Sequence, residues 1–466
     1  MTTLDDVVLQ LVNELQNSSP SRRLQGQRLE KLIKSVRRLV GDSVSVYHET
    51  SSLFGFASIH KASGHYSSSR YTKGLSYRIH VQRAYEGLRE LGYLKEMKRG
   101  FFDGSKGLLT RYQATHKLIG LFEGTDIRVL PVLIPCHRSE EVIRVREIRK
   151  SRDRKTGKLI KVSSLIDYED TQITHEMRLN ADKINENLRS VWIDLELEDQ
   201  EWIDMRYRLK QEQDLETPQH GLSNRTLYRV FSDISFKRGG RFYGGWWQNI
   251  PKEFRTKLII NGKRTVEFDY SGLHPAILYA KVNAVIPEDP YDIGLDPRHR
   301  GSIKKAFNAM LNASTDLRSP PIGFPLKAVG LPWKELKQRI KTKHSPISDY
   351  FGTGVGLDLQ YADSCMAEKL MLRFIDEKSH TALLPIHDSF VVHHGYAGEL
   401  KEMMLEIFEK DFGGRISVKE LERELVAVES ASMNPVTKDV YTLIGLSDTG
   451  YSKRLDTHYK YNLGQG

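Results

Sequence analysis

Two aspartates stand where metal chemistry is easily built. Asp269 closes the β-branched run Thr265–Phe268, and Asp388 sits in the turn His387-Asp388-Ser389 between the apolar runs Leu383–Ile386 and Phe390–Val392. A carboxylate delivered into a tight turn between apolar strands must have a partner for its charge or face solvent. At the ends of adjacent strands the two would form a carboxylate pair suited to Mg²⁺, which takes one or two carboxylates plus substrate phosphates. Between them in the chain, RGSIKKAFNAMLNAS places Ile303, Phe307, Met310 and Leu311 on an apolar helical face. Arg300, Lys304, Asn308 and Asn312, spaced by four, share a neighbouring polar face that presents two cations to a triphosphate.

Four segments in order carry a resemblance. Gly239–Pro251 (GGRFYGGWWQNIP), then VEFDYSGLHPAILY, LDLQYADSCMAEKLM and LLPIHDSFVVH resemble the motifs of the family A DNA polymerases. The His-Asp-Ser of the last is closer to the phage-type single-subunit RNA polymerases. The resemblance spans about residues 225–425. It implies a right-hand polymerase with an antiparallel-sheet palm and short fingers, motif A and motif B being only 35 residues apart at Asp269 and Lys304. It also implies two Mg²⁺ (Mn²⁺ as a substitute) about 4 Å apart, held by Asp269, Asp388 and the backbone carbonyl of Tyr270. By the same resemblance Arg300 and Lys304 grip the nucleotide phosphates, and Lys304 can protonate the pyrophosphate. Arg241, Gln248 and Gln360 contact primer and template, and His387 supports the primer terminus. The chain departs from the pattern at three positions. His274 replaces the glutamate that blocks a 2′-hydroxyl, Asn312 replaces a tyrosine, and Asn308 stands where an aromatic is usual. These three are among the expected nucleotide-binding residues. His274 is bulky enough to act as a gate, which favours DNA synthesis.

The elements around this core read less directly. The chain has 466 residues and a net charge of +10, of which +8 falls in residues 1–125. A concentrated basic module is an electrostatic footprint of nucleic-acid contact. Val81, Ala84, Tyr85, Leu88 and Leu91 form a helical stripe from Ser76 onward, closed by Gly92; the runs Tyr93–Lys98 and Leu108–Gln113 follow as strands. This order resembles the recognition helix and wing of a winged helix-turn-helix domain. Tyr77, Arg78, His80 and Arg83 would then meet a major groove, with Lys98, Arg99 and Lys106 on phosphates.

The expected fold is therefore α+β. It has a winged-helix DNA-binding domain over 1–125, a helical thumb-like region and linker over 126–224, palm and fingers over 225–440, and a tail over 441–466. In the second of these, RVREIRKSRDRKTGKLIK reads as a basic hairpin turning near Thr156-Gly157. Ile173, Met177, Ala181, Ile184, Leu188, Val191 and Leu195 read as one long helix, and Lys210–Asn224 as a linker.

Other classes are excluded. No apolar run reaches 18 residues, the acidic amphipathic N-terminus is not a signal peptide, and two cysteines support neither a disulfide framework nor a Cys-cluster zinc site. Asp194-x-Glu196 lacks partners for an exonuclease site. Gly352-x-Gly354-x-Gly356 follows no strand and reads as a loop, and His393-His394 and Cys136-His137 lack metal-ligand spacing. The expectation is a cytoplasmic, nucleoid-associated DNA polymerase with no membrane partner. Its partners are template–primer DNA and nucleoside triphosphates, and its architecture suits a plasmid, phage or other mobile element. A primase or small RNA polymerase is the nearest alternative, and a non-catalytic replication initiator on a polymerase scaffold the next.

Overall fold

Amphipathic spacing builds the N-terminal module first. In a computed structural model that describes residues 4–18, 22–54, 56–61, 70–71, 77–102, 107–122, 141–152, 159–198, 201, 204–205, 208 and 224–421, helix α1 (Leu4–Ser18) buries Leu4, Val7, Val8, Leu11, Val12 and Leu15. They pack with Leu32, Val36, Leu39 and Val40 of α2 (Gly26–Phe54) and with Tyr85 and Leu88 of α3 (Arg83–Glu90). Gly92, at φ +79°, closes α3 in a Schellman motif: its N–H bonds Arg89 O at 3.0 Å and that of Tyr93 bonds Leu88 O at 2.8 Å. Strands β1 (Ala57–Ile59), β2 (Leu94–Lys98) and β5 (Thr110–Ala114) form an antiparallel sheet in the order β1-β5-β2. Strands β3 (Phe101–Phe102) and β4 (Gly107–Leu108) pair with each other in a small separate hairpin. The expected single helix from Ser76 differs at its start, where Tyr77–Gln82 form a π-helical turn. Widening the turn rotates the faces, so His80 and Val81 point inward while Arg78 and Ile79 are exposed.

The described part of the middle segment combines a hairpin, a long helix and a short strand. Strands β6 (Ile143–Arg152) and β7 (Leu159–Ile166) make the expected hairpin; its turn lies outside the described residues. Helix α4 (Gln172–Ser190) starts with a capping box, Thr171 Oγ1 accepting Thr174 N–H at 3.2 Å and Thr174 Oγ1 accepting Thr171 N–H at 2.9 Å. The stripe is buried at Met177, Ala181, Ile184 and Leu188, whereas Ile173 is exposed and Leu195 belongs to strand β8 (Ile193–Leu195). The segment also does not stand apart. Residues 143–145 of β6 pair in parallel with β9 (Tyr228–Phe231), which pairs antiparallel with β10 (Gly239–Tyr243). The resulting sheet runs β10-β9-β6-β7. Cys136-His137, Thr156-Gly157, residues 210–223 and the tail 441–466 lie outside the described residues.

The third sheet positions the candidate site. Strands β11 (Leu258–Ile260), β12 (Lys263–Tyr270), β13 (Leu384–Ile386) and β14 (Ser389–His393) run antiparallel in the order β13-β14-β12-β11-β8, and β15 (Val418–Glu420) pairs with the end of β12. Helices α5 (Leu273–Lys281), α6 (Arg300–Asn312), α7 (Gly356–Glu377) and α8 (Ala397–Phe412) share one continuous apolar core with this sheet. Helix α7 packs against β10, α4 and α8, tying the two sheets together. Among the described residues no helix is long and apolar enough to cross a membrane.

Candidate active site

Strand alternation decides which side chains of β12 share a face. Val266, Phe268 and Tyr270 take one side; Thr265, Glu267 and Asp269 take the other. The Tyr270 ring is buried, with its hydroxyl donating to Met404 O at 2.8 Å, so only its main chain remains for chemistry on the opposite face. Pairing of Asp269 with Ser389 across β12 and β14 brings Asp388, the preceding residue, to the same end of the sheet. Asp388 lies in the two-residue loop His387-Asp388 between β13 and β14. His387 adopts φ +58°, a left-handed conformation that costs a non-glycine residue about 1–3 kcal/mol and tends to persist at functional sites.

The two acids of β12 are treated differently. Glu267 accepts from Arg255 Nη1 at 3.1 Å and lies 2.5 Å from Ser389 Oγ. Asp269 Oδ1 is buried and has no hydrogen-bond partner among the described residues. Desolvation first, and then the charge of Asp388, push the Asp269 carboxyl up to about 7, with Lys304 pulling the other way. An uncompensated carboxylate oxygen beside a second carboxylate is a site that a divalent cation would relieve. The described residues contain no cluster of three or more His, Cys, Asp or Glu able to hold a metal.

A wall of aromatic and basic residues faces the acids. Tyr291, absent from the sequence expectations, is buried beneath two cations of α6: Arg300 lies 5.1 Å and Lys304 Nζ 5.8 Å from its ring centroid. Burial pushes its hydroxyl up to about 12; Arg300 opposes that shift, and Asp388, Asp289 and Asp269 add to it. Lys304 is exposed on the rim. Arg300 is held by Asp289 through bonds of 2.7 and 3.1 Å. Asn308 is half-buried, and Asn312 is exposed with its Nδ2 on Asn308 O at 2.7 Å. The glycine series is a packing loop, as the sequence suggests: Gly352 and Gly354 donate to Met310 O and Ala313 O, and a Cβ at Gly356 would strike Asn312 Oδ1.

Arg241, Gln248 and His274, all assigned to substrate, are bound to the protein itself. Arg241 Nε donates to both oxygens of Asp363 (2.9 and 3.2 Å), its Nη2 bonds the same carboxylate, and His274 Nε2 lies 3.3 Å from Asp363 Oδ2. Asp363, on α7, is 2% exposed at its side chain. Burial disfavours the Arg241 charge, but Asp363 more than offsets this and raises its proton affinity. A β-bulge between Gly239 and Arg241 aims the guanidinium, and Gly240 (φ +81°) lets β10 lie against α7. Buried Arg229 fixes that contact by donating to Gly240 O, Glu368 and Ser364. Gln248 gives its amide hydrogens to Phe242 O and Pro385 O, so it joins β10 to β13. Gln360 is half-buried on α7. Partial desolvation, with the Arg241 charge, holds His387 below its ordinary range. Asp363 and Tyr291 gave no motif signal, since each acts only through tertiary neighbours.

The N-terminal expectations divide. Arg78, Lys98 and Arg99 are exposed. His80 is 3% exposed and so cannot reach a groove, a consequence of the π-helical turn. Arg83 Nη1 donates to Arg22 O at 3.2 Å, tying it to its own module. Tyr77 opens the π-helical turn, and Lys106 lies outside the described residues. Asp194 lies on strand β8, not on a helical stripe, and its Oδ1 accepts from Leu195 N–H at 2.8 Å.

No protein-family model matches the chain, and no curated protein matches it. Among solved structures the chain is similar to the POL domain of Pol1 from M. smegmatis, in complex with DNA primer-template and dNTP. The identity is 14% and the TM-score 0.33, over 59% of this chain and 57% of that one. The chain thus spans little more than half the length of that structure.

Proposed function

We propose that the chain is a template-directed nucleotidyltransferase, a DNA-directed DNA polymerase whose N-terminal winged helix (1–125) recruits it to DNA. In this reading residues 225–440 form palm and short fingers, and the β6–β7 hairpin with α4 occupies the thumb-like position. The observation that carries it is the carboxylate pair: Asp269, with a buried oxygen unpartnered among the described residues and a carboxyl pushed up to about 7, beside Asp388. Asp269, Asp388 and the Tyr270 carbonyl would hold two Mg²⁺. When bound, these supply charge neutralisation at the attacking 3′-hydroxyl and the departing pyrophosphate. Lys304 stands at the rim to meet a triphosphate and to give a proton to the leaving group. His274, braced by Asp363, supports a steric gate against a 2′-hydroxyl, which favours deoxynucleotides.

The test supplies primed and unprimed templates with Mg²⁺ and either dNTPs or rNTPs. We expect primer extension with dNTPs, lost to background in Asp388→Ala while duplex affinity is retained. Products from rNTPs without a primer would instead support the primase reading. No product under any condition, with DNA still bound, would support a non-catalytic initiator.

A further inference from the structure

The β6–β7 hairpin outruns the sheet that carries it. Among the described residues, only Ile143–Val145 of β6 pair with β9, and from Arg146 to Arg152 the strand is hydrogen-bonded to β7 alone. Seven residues at about 3.4 Å each make a free two-stranded ribbon of roughly 20 Å. Arg146, Ile148 and Arg149 on one strand and Ser163, Ser164 and Leu165 on the other are all exposed, Ile148 at 62% and Leu165 at 42%. An isolated ribbon is marginally stable in water, so its length needs a reason.

Its charge supplies one. Residues 144–161 contain nine Lys or Arg against two Asp or Glu, a net of +7, whereas residues 126–466 as a whole sum to +2. The one acid on the strands, Glu147, is engaged by Arg149 at 2.7 Å. At the ribbon's root Asp167 and Asp170 are taken by Arg70, at 2.7 and 2.8 Å. In the register Arg146 lies opposite Leu165, Ile148 opposite Ser163 and Lys150 opposite Lys161. Like charges directly opposed across a ladder are destabilising, so this pairing favours a polyanion against the ribbon. Residues 143–166 contain no aromatic side chain, which leaves no stacking platform for single-stranded bases. A two-stranded ribbon is also the width that a duplex major groove admits.

We propose that the β6–β7 ribbon is a duplex-DNA-gripping arm, with Arg146, Lys150 and Lys161 on phosphates and Ile148 and Leu165 as apolar contacts between them. The assignment rests on the nucleic-acid reading above but not on catalysis, so it is tested by binding without nucleotide or Mg²⁺. The probe is a labelled 25-base-pair duplex, titrated with the full chain by fluorescence anisotropy from 50 to 200 mM KCl.

For Arg146→Ala/Lys150→Ala/Lys161→Ala, with an unchanged melting temperature, the slope of log affinity against log salt should fall by about 2–3, at about 0.9 per lost phosphate contact. Single Lys150→Glu puts opposite charges across the ladder at Lys161. It should weaken duplex binding while the melting temperature holds or rises, a pairing of signs that misfolding cannot give. The proposal is overturned if the triple variant keeps the wild-type slope, or if Lys150→Glu binds as wild type. It is also overturned if polyglutamate competes as well as duplex DNA, which would make the partner an acidic protein. Should wild type extend no primer while the ribbon variants lose duplex binding as expected, the polymerase reading falls and the ribbon stands. Should wild type extend primers while the ribbon variants bind normally, only the ribbon assignment falls.

Discussion

Replacing Asp269 by Asn should stabilise the metal-free protein while destroying its chemistry. The Asp269 carboxyl rises from an ordinary 3.8 to about 7 because burial and then Asp388 oppose its charge. An acid whose pKa is higher folded than unfolded keeps its proton longer in the native state, so ionising it costs the fold stability. The cost is absent below 3.8, grows as pH climbs from 3.8 towards 7, and is complete above about 7. At about 1.4 kcal/mol per unit the ceiling is about 4 kcal/mol at pH 8 and under about 2 kcal/mol at pH 5. Solvent at the open side of the loop screens part of this. The advantage of Asp269→Asn should therefore grow by about 1–3 kcal/mol between pH 5 and pH 8.

Urea unfolding in EDTA, followed by tryptophan fluorescence, reads this directly, since Trp192, Trp246, Trp247 and Trp333 belong to the core that carries β12. Adding Mg²⁺ at pH 8 should then stabilise wild type alone, by about 2.7 kcal/mol at a hundredfold excess over its dissociation constant. A variant less stable than wild type, or a difference that does not change with pH, would refute the account of Asp269 as an uncompensated metal ligand.

Two further substitutions probe how the site is held. Asp363→Asn removes the charge that fixes Arg241 and His274; breaking a buried ion pair of this kind should cost about 3–5 kcal/mol in thermal or urea unfolding. Its residual primer extension should discriminate less between dNTPs and rNTPs; unaltered discrimination would dissociate His274 from sugar choice. Gly240→Ala places a Cβ 2.7 Å from the Phe231 ring and 3.0 Å from Ser364 Oγ at a φ of +81°. It should destabilise by about 2 kcal/mol or more, and a melting temperature within a degree of wild type would show that β10 can slide away from α7.

Short-range patterns were readable from the chain; tertiary partners were not. The strand ends that carry Asp269 and Asp388 could be read because a β-branched run and an apolar–turn–apolar run each fix local geometry within a few residues. The β6–β7 hairpin was visible for the same reason. Strand β8 was hidden, because Val191 and Leu195 continue the spacing of Ile184 and Leu188. What ends the helix at Ser190 is a distant residue, Asn261, which accepts from Trp192 N–H at 3.0 Å and returns its own N–H to Trp192 O at 2.8 Å. His80 was misassigned because one extra residue per turn over Tyr77–Gln82 breaks the 3.6 period on which the facing was read. Residue identity also could not show that Arg241 and Gln248 are already engaged, since their partners lie 122 and 137 residues away in sequence.

That engagement separates the cations by what each can do. Arg300 and Arg241 are both salt-bridged, to Asp289 and to Asp363, and a substrate contact from either must compete with its carboxylate. The Arg300 pair is open to solvent, its side chains 51% and 37% exposed, and exposed pairs contribute only about 0–1 kcal/mol. In the proposed polymerase a triphosphate carrying several negative charges would displace Asp289 at little cost, and Tyr291 beneath the guanidinium would keep Arg300 near the site as it exchanged partners. The Arg241 pair has a carboxylate 2% exposed, and leaving that charge alone would cost several kcal/mol. Arg241 therefore stays on Asp363, and in the proposed polymerase it would meet a primer only with the face its carboxylate leaves free. Of the three cations assigned to substrate, Lys304 is ready, Arg300 is exchangeable and Arg241 is fixed, and that order follows from burial rather than from motif.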